Sequence, residues 1–146
     1  MHLPTILETH TLLARPEALD GLHAAIQQFW ASLAAQTGRR PPMRVQFALS
    51  TAASEIAANI IRYSGAETFV VAFLCRDGSR LEARFEDQGL PFEGGAEAGP
   101  TPGGLAEGGF GLALARRVVD SLAYDRSAEG LNTWRLVVLM PPLSLP

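Results

Sequence analysis

Apolar residues recur at spacings of three and four through the first part of the chain: Leu19, Leu22, Ile26, Phe29, Trp30 and Leu33. That period marks one face of an amphipathic helix and predicts a helix from Pro16 to Gln36, with Gly38 as its stop. Pro41-Pro42 opens a second helix, whose apolar stripe is Leu49, Ala53, Ile56 and Ile60. It is expected to run to about Tyr63 and to close at Ser64-Gly65. The period then changes. Thr68 to Cys75 is rich in β-branched and aromatic residues, Asp77-Gly78 is a hairpin turn signal, and Arg80 to Glu86 alternates. In that second strand Leu81, Ala83 and Phe85 share one face, and Arg80, Glu82, Arg84 and Glu86 share the other, the pattern of an antiparallel strand with one wet side.

An extended segment is expected over Leu3 to Leu13, a third helix from about Gly109 to Leu122, and a last strand from Asn132 to Met140, with room for a short strand at Ala123 to Ser127. This order fits an α+β, two-layer sandwich: a mostly antiparallel, mixed sheet with three helices on one face. Periodicity fails between Gly89 and Gly111, a stretch holding nine glycines and three prolines. Long irregular stretches inside compact domains tend to be functional, and residues 90–108 are read as a lid.

Composition narrows the function. The 146 residues fit one domain, and 47% hydrophobic with 18% charged residues describes a folded globular chain. A net charge of −3 argues against direct binding of nucleic acid, which needs a basic footprint. No apolar run reaches membrane-spanning length and no signal segment opens the chain, so a cytoplasmic protein with no membrane partner is expected. The lone Cys75 leaves no internal disulfide and no zinc cluster. All 12 basic residues are arginine, which removes the P-loop lysine and Schiff-base chemistry.

Three groups could carry chemistry. Glu55 and Asn59 lie four apart on the second helix, hence on one face, with Arg62 a further turn along. Asn is a poor mid-helix residue because its amide competes for backbone hydrogen bonds, so it invites a reason. Its carbonyl oxygen suits Mg²⁺, and a carboxylate one turn earlier could deprotonate an attacking hydroxyl or water. The bland reading of the same pair is a solvated face. Asp87-Gln-Gly89 follows a strand, where a carboxylate can accept from an exocyclic amine and a glycine admits a ligand to the backbone, although Asp-x-Gly is also a common turn. Gly109-Phe-Gly111-Leu112 opens the third helix, where free N–H groups favour phosphate.

Taken in order, these parts resemble the three boxes of the Bergerat-fold ATPase and kinase superfamily: an N box at Glu55 to Asn59 and glycine boxes at Asp87 to Gly89 and Gly109 to Leu112. The wording of Ser54 to Ser64, Phe85 to Phe92 and Gly109 to Asp120 is similar to the stand-alone anti-sigma serine/threonine kinases. The resemblance implies ATP and Mg²⁺ as cofactors, Glu55 as catalytic base, Asn59 as metal ligand and Asp87 as adenine reader. It implies a nucleotide site lined by Gly89, Gly109, Gly111 and Leu112, with Arg62 offering phosphate charge. The partners it implies are a small anti-sigma factor antagonist protein, which is phosphorylated, a sigma factor, which is sequestered, and a second copy in a homodimer. Between Arg84 and Arg116 the chain has no basic residue, while Glu93, Glu97 and Glu107 fall in or beside the lid. An ATP-binding regulatory switch with little or no phosphotransfer is therefore the alternative, and an orphan ATPase domain of a sensor kinase a third reading.

Overall fold

The computed structural model describes residues 5–93 and 107–141, and at 107–110 the backbone alone. The expected strand start at Leu3 and the body of the expected lid, 94–106 with Glu97, lie outside the described residues. The elements run β1 (Ile6–Leu13), α1 (Ala18–Thr37), α2 (Met43–Asn59), β2 (Thr68–Arg76), β3 (Arg80–Asp87), α3 (Glu107–Val118), β4 (Ser121–Arg126) and β5 (Asn132–Leu139). The strands order as β1-β2-β3-β5-β4, and every pairing is antiparallel. The sheet expected to be mostly antiparallel is wholly so among the described strands, and the α+β sandwich stands.

Alternation along the strands builds the core. Phe69, Val71 and Phe73 of β2, Leu81, Ala83 and Phe85 of β3, and Trp134, Leu136 and Val138 of β5 are all buried on one face. Leu22, Ile26, Phe29 and Leu33 of α1 and Leu49 and Ile56 of α2 meet them in one cluster. The ring of Phe29 stacks on Phe73 with centroids 5.6 Å apart, joining α1 to β2. Burial of one such side chain stabilises the fold by roughly 2 kcal/mol. The opposite face is charged where β3 meets β5: Glu82 lies within 4.0 Å of Arg80, Arg84 and Arg135.

Three boundaries carry information. The hairpin at Asp77-Gly78 has φ of 54° and 67°, both positive, the geometry that matches strand twist. The second helix changes winding at its end: α2 stops at Asn59, a π-helical turn covers Ile60–Ser64, and Gly65 at φ 69° terminates it. The third helix ends at Val118 rather than at the expected Leu122, because Ser121 to Arg126 pair with β5 as β4. Leu122 is buried there as a strand residue opposite Leu136. Cys75 is buried, and burial followed by the charge of Asp77 pushes its thiol above the ordinary value of 9.0, against a hydrogen bond from the Gly78 backbone. Among the described residues no helix is long and apolar enough to cross a membrane.

Candidate functional site

A cleft opens where the end of α2 faces the ends of β3 and β5. Asn59, Ile60, Tyr63, Asp87, Phe92 and Tyr124 are among the side chains on its wall. Register explains why the ends meet: Asp87 closes β3 and lies opposite Asn132, the first residue of β5. Both are nearly inaccessible, at 4% and 2% exposed. Buried polar groups at such depth need partners, and here they have them. Asp87 Oδ1 accepts from the Gly89 N–H at 2.8 Å and from Asn132 Nδ2 at 2.9 Å. Asn132 Nδ2 also donates to the Leu90 carbonyl at 2.9 Å, and Asn132 Oδ1 accepts from the Tyr124 hydroxyl at 2.5 Å and Arg126 Nη1 at 2.8 Å. The rings of Phe92, Tyr124 and Trp134 pack against one another with centroids 4.8–5.8 Å apart, forming an apolar side to the same cleft. Asp87 Oδ2 accepts no hydrogen bond among the described residues, which leaves an acceptor for a donor group of a ligand.

The two glycines at the site act through crowding. A Cβ at Gly89 would collide with the Ser64 carbonyl, and the neighbouring Leu90 N–H donates to that same oxygen at 2.7 Å. The space that Gly89 frees is therefore filled by the end of the second helix, not left for a ligand as its position after the strand suggested. A Cβ at Gly111 would overlap the Glu55 carboxylate. Glu55, half-buried on α2, thus rests against the start of α3, one helical turn from Asn59. Gly109 lies in the first turn of α3.

Asn59 is 4% exposed, and its Nδ2 has no hydrogen-bond partner among the described residues. A buried amide nitrogen left unpaired costs about 1–3 kcal/mol. In Asn59, Nδ2 is the shielded atom and Oδ1 is the one left open, a hard donor suited to Mg²⁺. The residue therefore fits the ion.

Two expected contributors stand elsewhere. Leu112 is 2% exposed and belongs to the core cluster, so only its backbone is left for a ligand. Arg62 is exposed with its guanidinium 5.8 Å above the Tyr63 ring. The wider i→i+5 winding after Asn59 carries Arg62 off the face of Glu55 and Asn59 and brings Tyr63 to the cleft wall. Asn132, Tyr124 and Arg126 were not singled out from sequence. Asn132 heads a strand with a polar residue at an inward position, the one signal that could have marked it.

Comparison with known proteins gives a consistent answer. The chain is similar to the crystal structure of the RsbU and RsbW domains of Rv1364c from Mycobacterium tuberculosis, at 21% identity and TM-score 0.65, covering 98% of this chain. It spans 34% of that longer chain. It is also similar to the histidine kinase domain of the Erythrobacter litoralis EL346 blue-light activated histidine kinase, at 19% identity and TM-score 0.50, covering 84% of this chain and 61% of that one. These likenesses concern the fold. No curated protein matches the sequence. The family described as histidine kinase-like ATPase domain matches residues 14–137, most of the sequence, and the chain belongs to that family.

Proposed function

We propose that this chain, as one domain, binds Mg-ATP in the cleft and passes the γ-phosphate to a serine or threonine of a small antagonist protein, acting as an anti-sigma factor. The observation that carries the reading is the convergence of Asp87 and Asn59 on one cleft, with Glu55 one turn along α2 against Gly111. Asp87 Oδ2 would accept from the adenine amine, and Asn59 would hold Mg²⁺, which supplies neutralisation of phosphate charge. Glu55 would take the proton of the attacking hydroxyl as its oxygen bonds to the γ-phosphorus and the bond to ADP breaks. The anti-sigma assignment draws on the wording of the three motif stretches and on likeness to a structure that holds an RsbW domain. A homodimer belongs to the same proposal, and Leu7 and Leu13 on the outer side of β1, 61% and 54% exposed, support it.

A second reading is a nucleotide-gated switch without transfer, favoured by the absence of any basic residue between Arg84 and Arg116. The experiment that separates the two uses γ-labelled ATP, Mg²⁺ and a candidate antagonist protein, with Glu55→Gln as control. Label on a partner serine or threonine, lost in the variant while ATP still binds, supports the kinase. Bound ATP with no label in any tested antagonist supports the switch.

A further inference from the structure

We infer that Asn132, backed by Tyr124 and Arg126, is the positioning residue that makes the cleft select a 6-aminopurine nucleotide. This rests on the reading of the cleft as an ATP site. The terminal torsion of Asp87 is broad and does not by itself decide which oxygen faces a ligand. Two donors decide it. The Gly89 N–H and Asn132 Nδ2 both occupy Oδ1, so Oδ2 is the oxygen left to meet a base. An ionised carboxylate only accepts, so the group it meets must donate. The exocyclic amine of a 6-aminopurine does so, whereas a 6-oxo group opposes lone pairs to lone pairs.

The orientation of the Asn132 amide is fixed from both sides. Its nitrogen faces three acceptors: Asp87 Oδ1 at 2.9 Å, the Leu90 carbonyl at 2.9 Å and the Gly89 carbonyl at 3.3 Å. Its oxygen faces two donors, the Tyr124 hydroxyl and Arg126 Nη1. Reversing the amide would set oxygen against three acceptors and NH₂ against the Arg126 guanidinium, which can only donate. Arg126, with Tyr124 beside it, thus fixes which way Asn132 points, and Asn132 together with the Gly89 N–H fixes which Asp87 oxygen is spoken for. The same two side chains hold the chain leaving β3: Arg126 Nη1 donates to the Gly89 carbonyl at 2.9 Å, and the Phe92 N–H donates to the Tyr124 hydroxyl at 2.9 Å. Carboxylate, turn and the segment leaving β3 are therefore tied into one hydrogen-bonded unit, set by residues that leave the base contact itself to Asp87.

The test measures equilibrium affinities of the full chain for ATP, inosine triphosphate and purine riboside triphosphate, which lacks a 6-substituent. Wild type is compared with Tyr124→Phe and with Arg126→Gln, the latter a change at an exposed position. Wild type should prefer ATP over both analogues by roughly a hundredfold. In Arg126→Gln, ATP affinity should fall roughly tenfold while that for purine riboside triphosphate barely moves, so the preference shrinks by the same factor. Tyr124→Phe should act in the same direction. Equal weakening of all three ligands, or unchanged ratios, would mean that the two residues only support the fold, and would overturn the inference. Failure of folded wild type to bind any of the three would overturn the nucleotide reading itself, and the inference with it.

Discussion

The two ends of the cleft are built differently. At the end beside β3 and β5, the polar atoms of Asn132 and Asp87 Oδ1 are matched, and each partner lies 2.5–3.3 Å away. On the α2 side, Asn59 Nδ2 is buried without a partner among the described residues, and one turn away the Glu55 carboxylate lies against Gly111 of α3. The first end is complete as protein and offers one spare acceptor. The second leaves one amide nitrogen unmatched among the described residues. A base can be read by a preorganised frame, since its pattern of donors and acceptors does not change during a reaction. Phosphates and metal change charge and bonding, and the groups that serve them are left without competing partners.

Substitutions at the two ends should therefore have opposite signatures. Gly111→Ala drives a methyl group into the Glu55 carboxylate, and phosphotransfer should fall by roughly a hundredfold or more, because small misplacement of a reacting group costs that much. Nucleotide affinity, measured by calorimetry, should fall by much less than transfer does. Asn132→Asp is isosteric yet sets a carboxylate against three acceptors. It should destabilise the fold by about 2 kcal/mol, read as a lower Tm in thermal denaturation. Asn59→Leu should do the reverse, leaving Tm unchanged or raised because a buried nitrogen without a partner among the described residues is removed. Its cost should appear as a roughly tenfold loss of ATP affinity with Mg²⁺ and little loss without. If Asn59→Leu lowers Tm as Asn132→Asp does, the contrast between the ends fails.

The smallest effect lies outside the cleft. Because the Cys75 thiol is raised above 9.0 in the folded chain, its contribution is fully present below that ordinary value. The contribution is lost as pH climbs from there through the folded value. Denaturant titrations of wild type should therefore show a slight decline in stability above pH 9 that Cys75→Ala lacks.

Much of this was legible in the sequence, and the exceptions share a cause. Helix and strand periods are local, so α1, α2 and the β2–β3 hairpin could be read from spacing alone. The facing of Glu55 and Asn59 follows from their separation of four. What spacing could not show was pairing across the chain. Asn132 meets Asp87 over 45 residues of sequence, and Arg126 meets Gly89 over 37. Val118, Val119 and Leu122 continue a helical period, and only pairing with β5 pulls Leu122 into a strand. The displacement of Arg62 by Tyr63 arises from a change of winding that residue types do not announce. Gly89 reads as room for a ligand until its neighbour is known to be the Ser64 backbone.

The most direct test of the account is the affinity of Asp87→Asn for Mg-ATP, measured by calorimetry beside wild type. The variant keeps an acceptor for Gly89 and Asn132 at one atom, but turns a donor toward the base at the other. The account predicts that ATP affinity falls by roughly a hundredfold while the thermal transition stays close to wild type. Wild-type affinity in a folded Asp87→Asn variant would contradict it, since no nucleotide base would then be read at Asp87.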